Sequence, residues 1–262
     1  MSLTLKITNA SGETLACAAG KTEVNLVYDP EYTQGDCLVI ESSEPGRFVV
    51  LQFDDTLAPA FTFLKTDRFV FYIPFGEKRV SYSPRAFSGT RHLLYARYAS
   101  PDEIAARKNL AFNPLDEHEN NSLFPHASAN VETRGEAVFA ARNAIDGLKA
   151  NTFHGEWPYS SWGINRNPQA EWTLDFGRKV RLDEVVFYLR ADFPHDAWWE
   201  SATLHFSDGS SQTFPLVKSG EAQSFRIEPK TVEWVKLDTL RKADDPSPFP
   251  ALTQLELFGT EA

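Results

Sequence analysis

The chain has 262 residues, 42% of them apolar and 24% charged, the proportions of an ordinary globular protein, which set aside disorder, collagen and coiled coil. A formal charge of -10, from 26 basic and 36 acidic residues, offers no attraction to phosphate backbones or anionic lipid, so neither nucleic acid nor a membrane is expected as a partner. Aromatic residues make up 13%, with 20 Phe, 8 Tyr and 6 Trp, a content that suits β-sandwiches whose loops present ring faces.

The chain opens with Leu3, Leu5 and Ile7 alternating with Thr4, Lys6 and Thr8, which predicts a strand and not a signal peptide. No run approaches the roughly 18 apolar residues of a membrane helix. Cys17 and Cys37 are too few for a disulfide scaffold and too far apart for a CxxC pair. They are read as reduced packing thiols, with a cytoplasmic setting expected, or a secreted one if a leader has been removed. Short apolar runs then recur: EVNLVY, DCLVIES, RFVVLQFD, FVFYIP and RHLLYARYA. Their spacing predicts a first sandwich.

Ser100-Pro101-Asp102-Glu103 has the form of a capping box with proline at the first helical position, predicting a short helix to about Lys108. The polar segment NLAFNPLDEHENNSLFP follows, and the domain boundary is expected near residue 120, giving domains 1–120 and 121–262. A second helix is expected from Glu136 to Ala144, ended by Asp146-Gly147, where glycine can adopt a left-handed cap. Beyond it Trp172, Leu174 and Phe176 alternate with Glu171, Thr173 and Asp175. Ala202, Leu204 and Phe206 repeat that pattern, and Asp208-Gly209 supplies a tight hairpin. The fold class expected is all-β: two jelly-roll-like β-sandwich domains with short helices.

From Ala127 onward the order of features is distinctive: ASANVETRG, Asn143-Ala144-Ile145-Asp146-Gly147, a loop with tryptophan, Trp172 through Gly177, Ser207-Asp208-Gly209 and Glu256-Leu257-Phe258-Gly259. In this order the elements resemble the discoidin domain, or coagulation factor type C domain, of the galactose-binding-like jelly rolls. The resemblance implies an antiparallel sandwich whose loops at one end bind a ligand, often a sugar. It also implies a structural calcium between Asp146 and Glu256. The family often carries a second acid two positions after the first, where this chain has Leu148. Calcium asks for six to eight oxygens, so these two carboxylates alone do not make a site, and Asp146 serves equally as a turn or capping residue.

Two loops hold the densest mixture of aromatic and polar residues. HGEWPYSSWGINRNP contributes His154, Trp157 and Tyr159, and RADFPHDAWWE contributes Arg190, Asp192, His195, Asp196, Trp198 and Trp199. A carbohydrate site needs rings to meet a C–H face and fixed donors and acceptors for hydroxyls. Trp157, Tyr159, Arg190, His195 and one of Trp198 or Trp199 are expected in a single cleft, because neighbours on an extended segment point to opposite sides. Trp162 and Trp172 are expected in the core. There is no HExxH, GxSxG, Walker loop or close cysteine–histidine arrangement, and no catalytic residue is assigned. The expected function is non-catalytic carbohydrate binding by a two-domain protein of bacterial style. The alternatives are a glycan-active hydrolase using the His/Asp/Arg cluster, or a protein-interaction scaffold.

Overall fold

A computed structural model describes residues 1–151, 153–190 and 197–262. Strict alternation builds the first half. Strand β1 (Leu3–Thr8) buries Leu3, Leu5 and Ile7, with β2 (Thr14–Gly20) beside it, and β3 (Glu23–Tyr28) buries Val24, Leu26 and Tyr28. The chain continues through β4 (Cys37–Ser42), β5 (Arg47–Gln52), β6 (Ala60–Leu64), β7 (Arg68–Tyr72) and β8 (His92–Tyr98). After helix α1 (Pro101–Ala105) come β9 (Lys108–Asn109), β10 (Leu123–Phe124) and β11 (His126–Ala129). One sheet runs β2-β1-β4-β7 and a second runs β10-β6-β5-β8-β3. Leu5, Ile40, Leu51, Phe53, Phe71 and Leu94 from the two sheets share one core. Cys37 is buried and Cys17 exposed, both as free thiols.

The capping box forms as expected: Glu103 N donates to Ser100 Oγ at 3.2 Å and Ser100 N to Glu103 Oε2 at 2.8 Å. The helix stops at Ala105, short of Lys108, because Ala106 is already extended (ψ 141°) and Lys108 pairs in a sheet with Gly259.

The second half contains β12 (Trp162–Gly163), β13 (Trp172–Leu189), β14 (Trp199–Phe206), β15 (Ser211–Pro215), β16 (Gln223–Lys242) and β17 (Ala251–Glu261). They pair in the order β12-β17-β13-β16-β14-β15, with β11 on β13 and β9 on β17. The long strand β13 changes partners along its length. Trp172–Asp175 lie between β11 and β16, whereas Val180–Leu189 lie between β17 and β16. The register breaks between Asp175 and Val180, and this bend lets one hydrogen-bonded path fold over a core of Trp162, Trp172, Phe176, Phe187, Trp199 and Leu204. The expected hairpin joins β14 to β15, with Gly209 at φ +86°.

The helix expected over Glu136–Ala144 does not form. In its place are short 3-10 turns at Thr133–Gly135, Ala137–Phe139 and Ala141–Ile145. Ala140 between them is extended (ψ 154°). Side chains meet the backbone groups that a helical ladder would use: Asn143 Nδ2 donates to Ala137 O at 2.9 Å, and Ala141 N donates to Glu132 Oε1 at 2.7 Å. Local side-chain bonds of this kind compete directly with helix. The segment ends as expected at Gly147, with φ +89°.

The two halves are interlaced around the boundary expected near residue 120. Lys108–Asn109 pairs with Gly259 and Phe258 of β17, and Leu123–Phe124 then pairs with Leu64 and Phe63 of β6. The Phe124 ring lies so close to Gly177 (φ +68°) that a Cβ there would be 2.4 Å from the ring. Next to it, Arg178 forms two 2.6 Å bonds with Glu261 while lying 5.1 Å from the Phe48 ring and 5.4 Å from the Phe63 ring of the first half. Gly177→Ala is therefore expected to destabilise the chain by at least the about 1–3 kcal/mol of a strained left-handed residue, read as a lower midpoint in chemical denaturation. An unchanged midpoint would show that the bend and the ring can both adjust.

Candidate functional site

Where β12 pairs with β17, through Trp162 with Leu252 and Gly163 with Ala251, a hollow of about 80 Å³ opens at the end of the second sandwich. Arg134, His154, Asn165, Arg166, Arg190 and Phe249 are among its lining residues. Arg190 directly follows β13, and its backbone N donates to Ala251 O at 3.0 Å, which fixes it against the closing strand. Only 2% of Arg190 is exposed. Its Nη2 lies 3.4 Å from His154 Nδ1, and its guanidinium lies 5.9 Å from the Tyr159 ring. His154 meets Tyr159 edge-on at 5.7 Å and stacks with Phe139 at 6.4 Å. Tyr159, Val138 and Phe139 form a small buried cluster beneath, and burial pushes the Tyr159 hydroxyl above its ordinary pKa, keeping it neutral.

The rim carries backbone strain. Six non-glycine residues among those described have positive φ, and three of them line this hollow: Arg134 (55°), Asn165 (49°) and Arg166 (60°). Asn165 N donates to Thr133 Oγ1 at 2.9 Å, tying the two strained turns together. The Arg166 guanidinium lies 4.4 Å from the Phe249 ring. Such strain persists only where the surroundings over-determine it, and it concentrates at functional rims.

Of the residues predicted for one cleft, Arg190 lines the hollow and Tyr159 lies beneath it, and His154, a predicted ligand residue from the same loop as Tyr159, lines it with Arg190. Trp157 does not join them. It lines a separate cavity of about 210 Å³ with Tyr82, Arg142 and Asp146, on the side facing the first sandwich, and its Nε1 is buried without a partner. Trp199 is fully buried, its ring 6.4 Å from that of Trp162, and half-buried Trp198 packs on the same core. Neither indole lines the hollow, because both are taken by the core. Trp162 and Trp172 sit in the core as expected, and their indole N–H groups donate to Val131 O and Ala141 O, each at 3.0 Å. Asp192, His195 and Asp196 lie outside the described residues. Two rings of the lining were not among the candidates: Phe139, and Phe249, which is flanked by Pro248 and Pro250. An aromatic held between prolines in a loop was the available signal.

Asp146 and Glu256 were expected to hold calcium. Asp146 Oδ1 accepts from Leu148 N at 2.8 Å and from Gln254 Nε2 at 2.7 Å, while Oδ2 is buried without a partner. Glu256 Oε1 is 2.7 Å from Lys149 Nζ, which also lies 4.8 Å from the Tyr188 ring. An ammonium of the chain itself thus occupies the carboxylate that calcium would need. Among the described residues no group of three or more His, Cys, Asp or Glu gathers, so the acidic side of a calcium shell is not assembled here. As they stand, the residues do not fit the ion. The melting temperature is expected to be the same in chelator and in calcium. A rise with calcium, together with metal in the purified protein, would return both carboxylates to a metal-holding role.

Two buried carboxyls give the junction between the halves a pH dependence. Burial pushes Asp146 up to about 7. It does the same to Glu117, also up to about 7, although Glu117 Oε2 accepts from Tyr72 N at 3.3 Å. Glu117 lines a cleft of about 670 Å³ between the sandwiches. Each carboxyl holds its proton more tightly folded than unfolded, where the pKa is about 4, so their contribution to stability is lost as pH rises from about 4 through about 7. The chain should resist denaturant better near pH ~5.5 than near pH ~8, and Asp146→Asn with Glu117→Gln should flatten that slope. A slope unchanged by the double variant would assign it to other groups.

The family described as "Domain of unknown function (DUF7402)" matches residues 123–245, beginning at β10 and ending before β17. No curated protein matches the chain. Among solved structures, a chitosan-binding module of a chitosanase/glucanase from Paenibacillus sp. IK-5 is similar at 17% identity and TM-score 0.42, over 58% of this chain and 99% of that one. A fucose-binding module from Streptococcus pneumoniae is similar at 16% identity and TM-score 0.42, over 59% of this chain and 99% of that one. A family 32 carbohydrate-binding module of Clostridium perfringens NanJ, in complex with galactose, is similar at 15% identity and TM-score 0.39, over 50% of this chain and 91% of that one.

Proposed function

We propose that the second sandwich binds a carbohydrate, without transforming it, in the hollow around His154 and Arg190. The observation that carries this reading is the meeting of a guanidinium, an imidazole and a carboxamide in one hollow, with the half-buried Phe249 ring beside them and buried Phe139 in its lining. A sugar presents an apolar C–H face and pairs of neighbouring hydroxyls. The Arg166 guanidinium at the rim can donate to neighbouring oxygens, His154 can donate or accept according to its tautomer, and the Asn165 amide can do both, with buried Arg190 behind them. The rings supply the apolar contact. A volume of about 80 Å³ takes one end of a sugar ring, so the rest of a glycan would lie along the surface outside.

Fixed strands beneath short turns are the usual arrangement for recognition. Arg190 is anchored by β13 and β17, and Gly163 of β12 backs the Thr133 turn so closely that a Cβ would be 2.6 Å from Thr133 Oγ1. The test is a glycan array followed by calorimetry on the full chain. His154→Ala is expected to lower affinity by about ten-fold or more, the scale of one hydrogen bond to a charged group or its partner, with little change in denaturation midpoint. Hydrolysis or transfer on glycans without saccharide retention would favour the enzyme reading, and failure of every saccharide would remove both.

A further inference from the structure

Resting on the carbohydrate reading above, we propose that the saccharide taken by this hollow is acidic, and that its carboxylate is received by Arg166 with Arg134 beside it. The chain carries a formal charge of -10, yet the guanidiniums of Arg134 and Arg166 both line the rim of this one hollow, and none of its described lining residues is a carboxylate. Several arginines elsewhere, and Arg134 itself, end on acids. Arg97 pairs with Glu103 at 2.5 Å, Arg178 with Glu261 at 2.6 Å, and Arg107 with Asp183 at 2.6 Å and Glu184 at 2.5 Å. Arg166 ends on a ring, that of Phe249 at 4.4 Å. Stacking on a phenyl face orients a guanidinium while leaving its N–H edge for a planar acceptor.

The backbone supports the same assignment. Asn165 and Arg166 are both held at positive φ, 49° and 60°, a costly arrangement for two consecutive side-chain-bearing residues. The bond from Asn165 N to Thr133 Oγ1 at 2.9 Å joins this turn to the neighbouring one, where Arg134 has φ 55°. Arg134 uses Nε and Nη2 on Glu136, at 2.5 Å and 2.6 Å, and keeps three of the five N–H donors of a guanidinium. A carboxylate matches a guanidinium edge with two parallel bonds, and a hollow of about 80 Å³ suits a group of that size at the end of a sugar ring. The attraction is local, acting within a Debye length of about 10 Å on a chain whose overall charge repels anions.

Calorimetry on the full chain with galacturonate oligosaccharides, against galactose oligosaccharides of the same length, tests this directly. The same comparison is made for glucuronate against glucose. The acidic member of at least one pair is expected to bind about ten-fold tighter or more, with the advantage shrinking as salt is raised. Arg166→Gln should bring the acidic-to-neutral affinity ratio to about one, Arg166→Lys should restore part of it, and Arg85→Gln, away from the hollow, should leave it unchanged. Equal binding of acidic and neutral sugars, or a ratio untouched by Arg166→Gln, overturns the proposal while the carbohydrate reading stands. Sulfated galactose binding more tightly than galacturonate overturns the carboxylate assignment. Failure of all of these sugars, and of a glycan array, overturns the carbohydrate reading itself and this proposal with it.

Discussion

A guanidinium held out of water sets the geometry of everything behind the hollow. Arg142 is 8% exposed. Its Nε donates to Asp116 O at 2.7 Å, its Nη2 to Pro114 O at 2.8 Å and its Nη1 to Asn143 Oδ1 at 3.2 Å, with the Tyr82 ring 4.7 Å away. An uncompensated buried charge costs several kcal/mol, so the linker carbonyls, the turn bearing Arg142 and a ring of the first sandwich must be in place together. Asp116, with no exposed surface, extends the network by accepting from His126 Nδ1 and Ala127 N at 2.8 Å and from Asn120 Nδ2 at 3.0 Å. The short turns from Thr133 to Ile145 hang from this network, and one wall of the hollow is made from their first members.

The other wall comes from the sheet. Arg190 lies where β13 ends, and Ala251 where β17 begins, so the hydrogen bond between them closes the hollow from beneath. The polar side chains of the hollow thus sit on loops, while their position is supplied by strands whose inward-facing side chains are buried. Stability and recognition are carried by different residues of the same segment: in the stretch from His154 to Arg166, Trp162 fills the core, Tyr159 props the hollow and Arg166 faces its opening.

Much of this was legible in the chain itself. Period-two burial marks β1, β3 and the first part of β13, because a half-buried strand leaves no other pattern. The capping box of α1 and the left-handed glycine after Asp146 are equally local. The failures share a cause. The helix expected at Glu136–Ala144 lost to side-chain bonds from Asn143 to Ala137 O and from Ala141 N to Glu132, pairings that periodicity alone does not show. Trp157 stands close to His154 in sequence, yet a tight turn with Gly155 at φ +92° separates them, and the cavity near Asp146 took its side chain. The Lys149–Glu256 pair joins residues far apart in the chain, so only the folded sheet shows that an ammonium meets that carboxylate. Phe249 is a single ring in a loop of prolines and acids, and only the folded chain brings it against Arg166.

Strand pairing at the junction has a consequence for how the protein meets an extended ligand. Lys108–Asn109 belongs to the sheet of the second half before Leu123–Phe124 joins the first, and Arg178 lies over two phenylalanines across the divide. Two beads on a flexible string can turn independently and explore many relative attitudes. Laced halves are tied to one relative attitude, so any surface that engages the hollow also dictates where the outer edge of the first sandwich points.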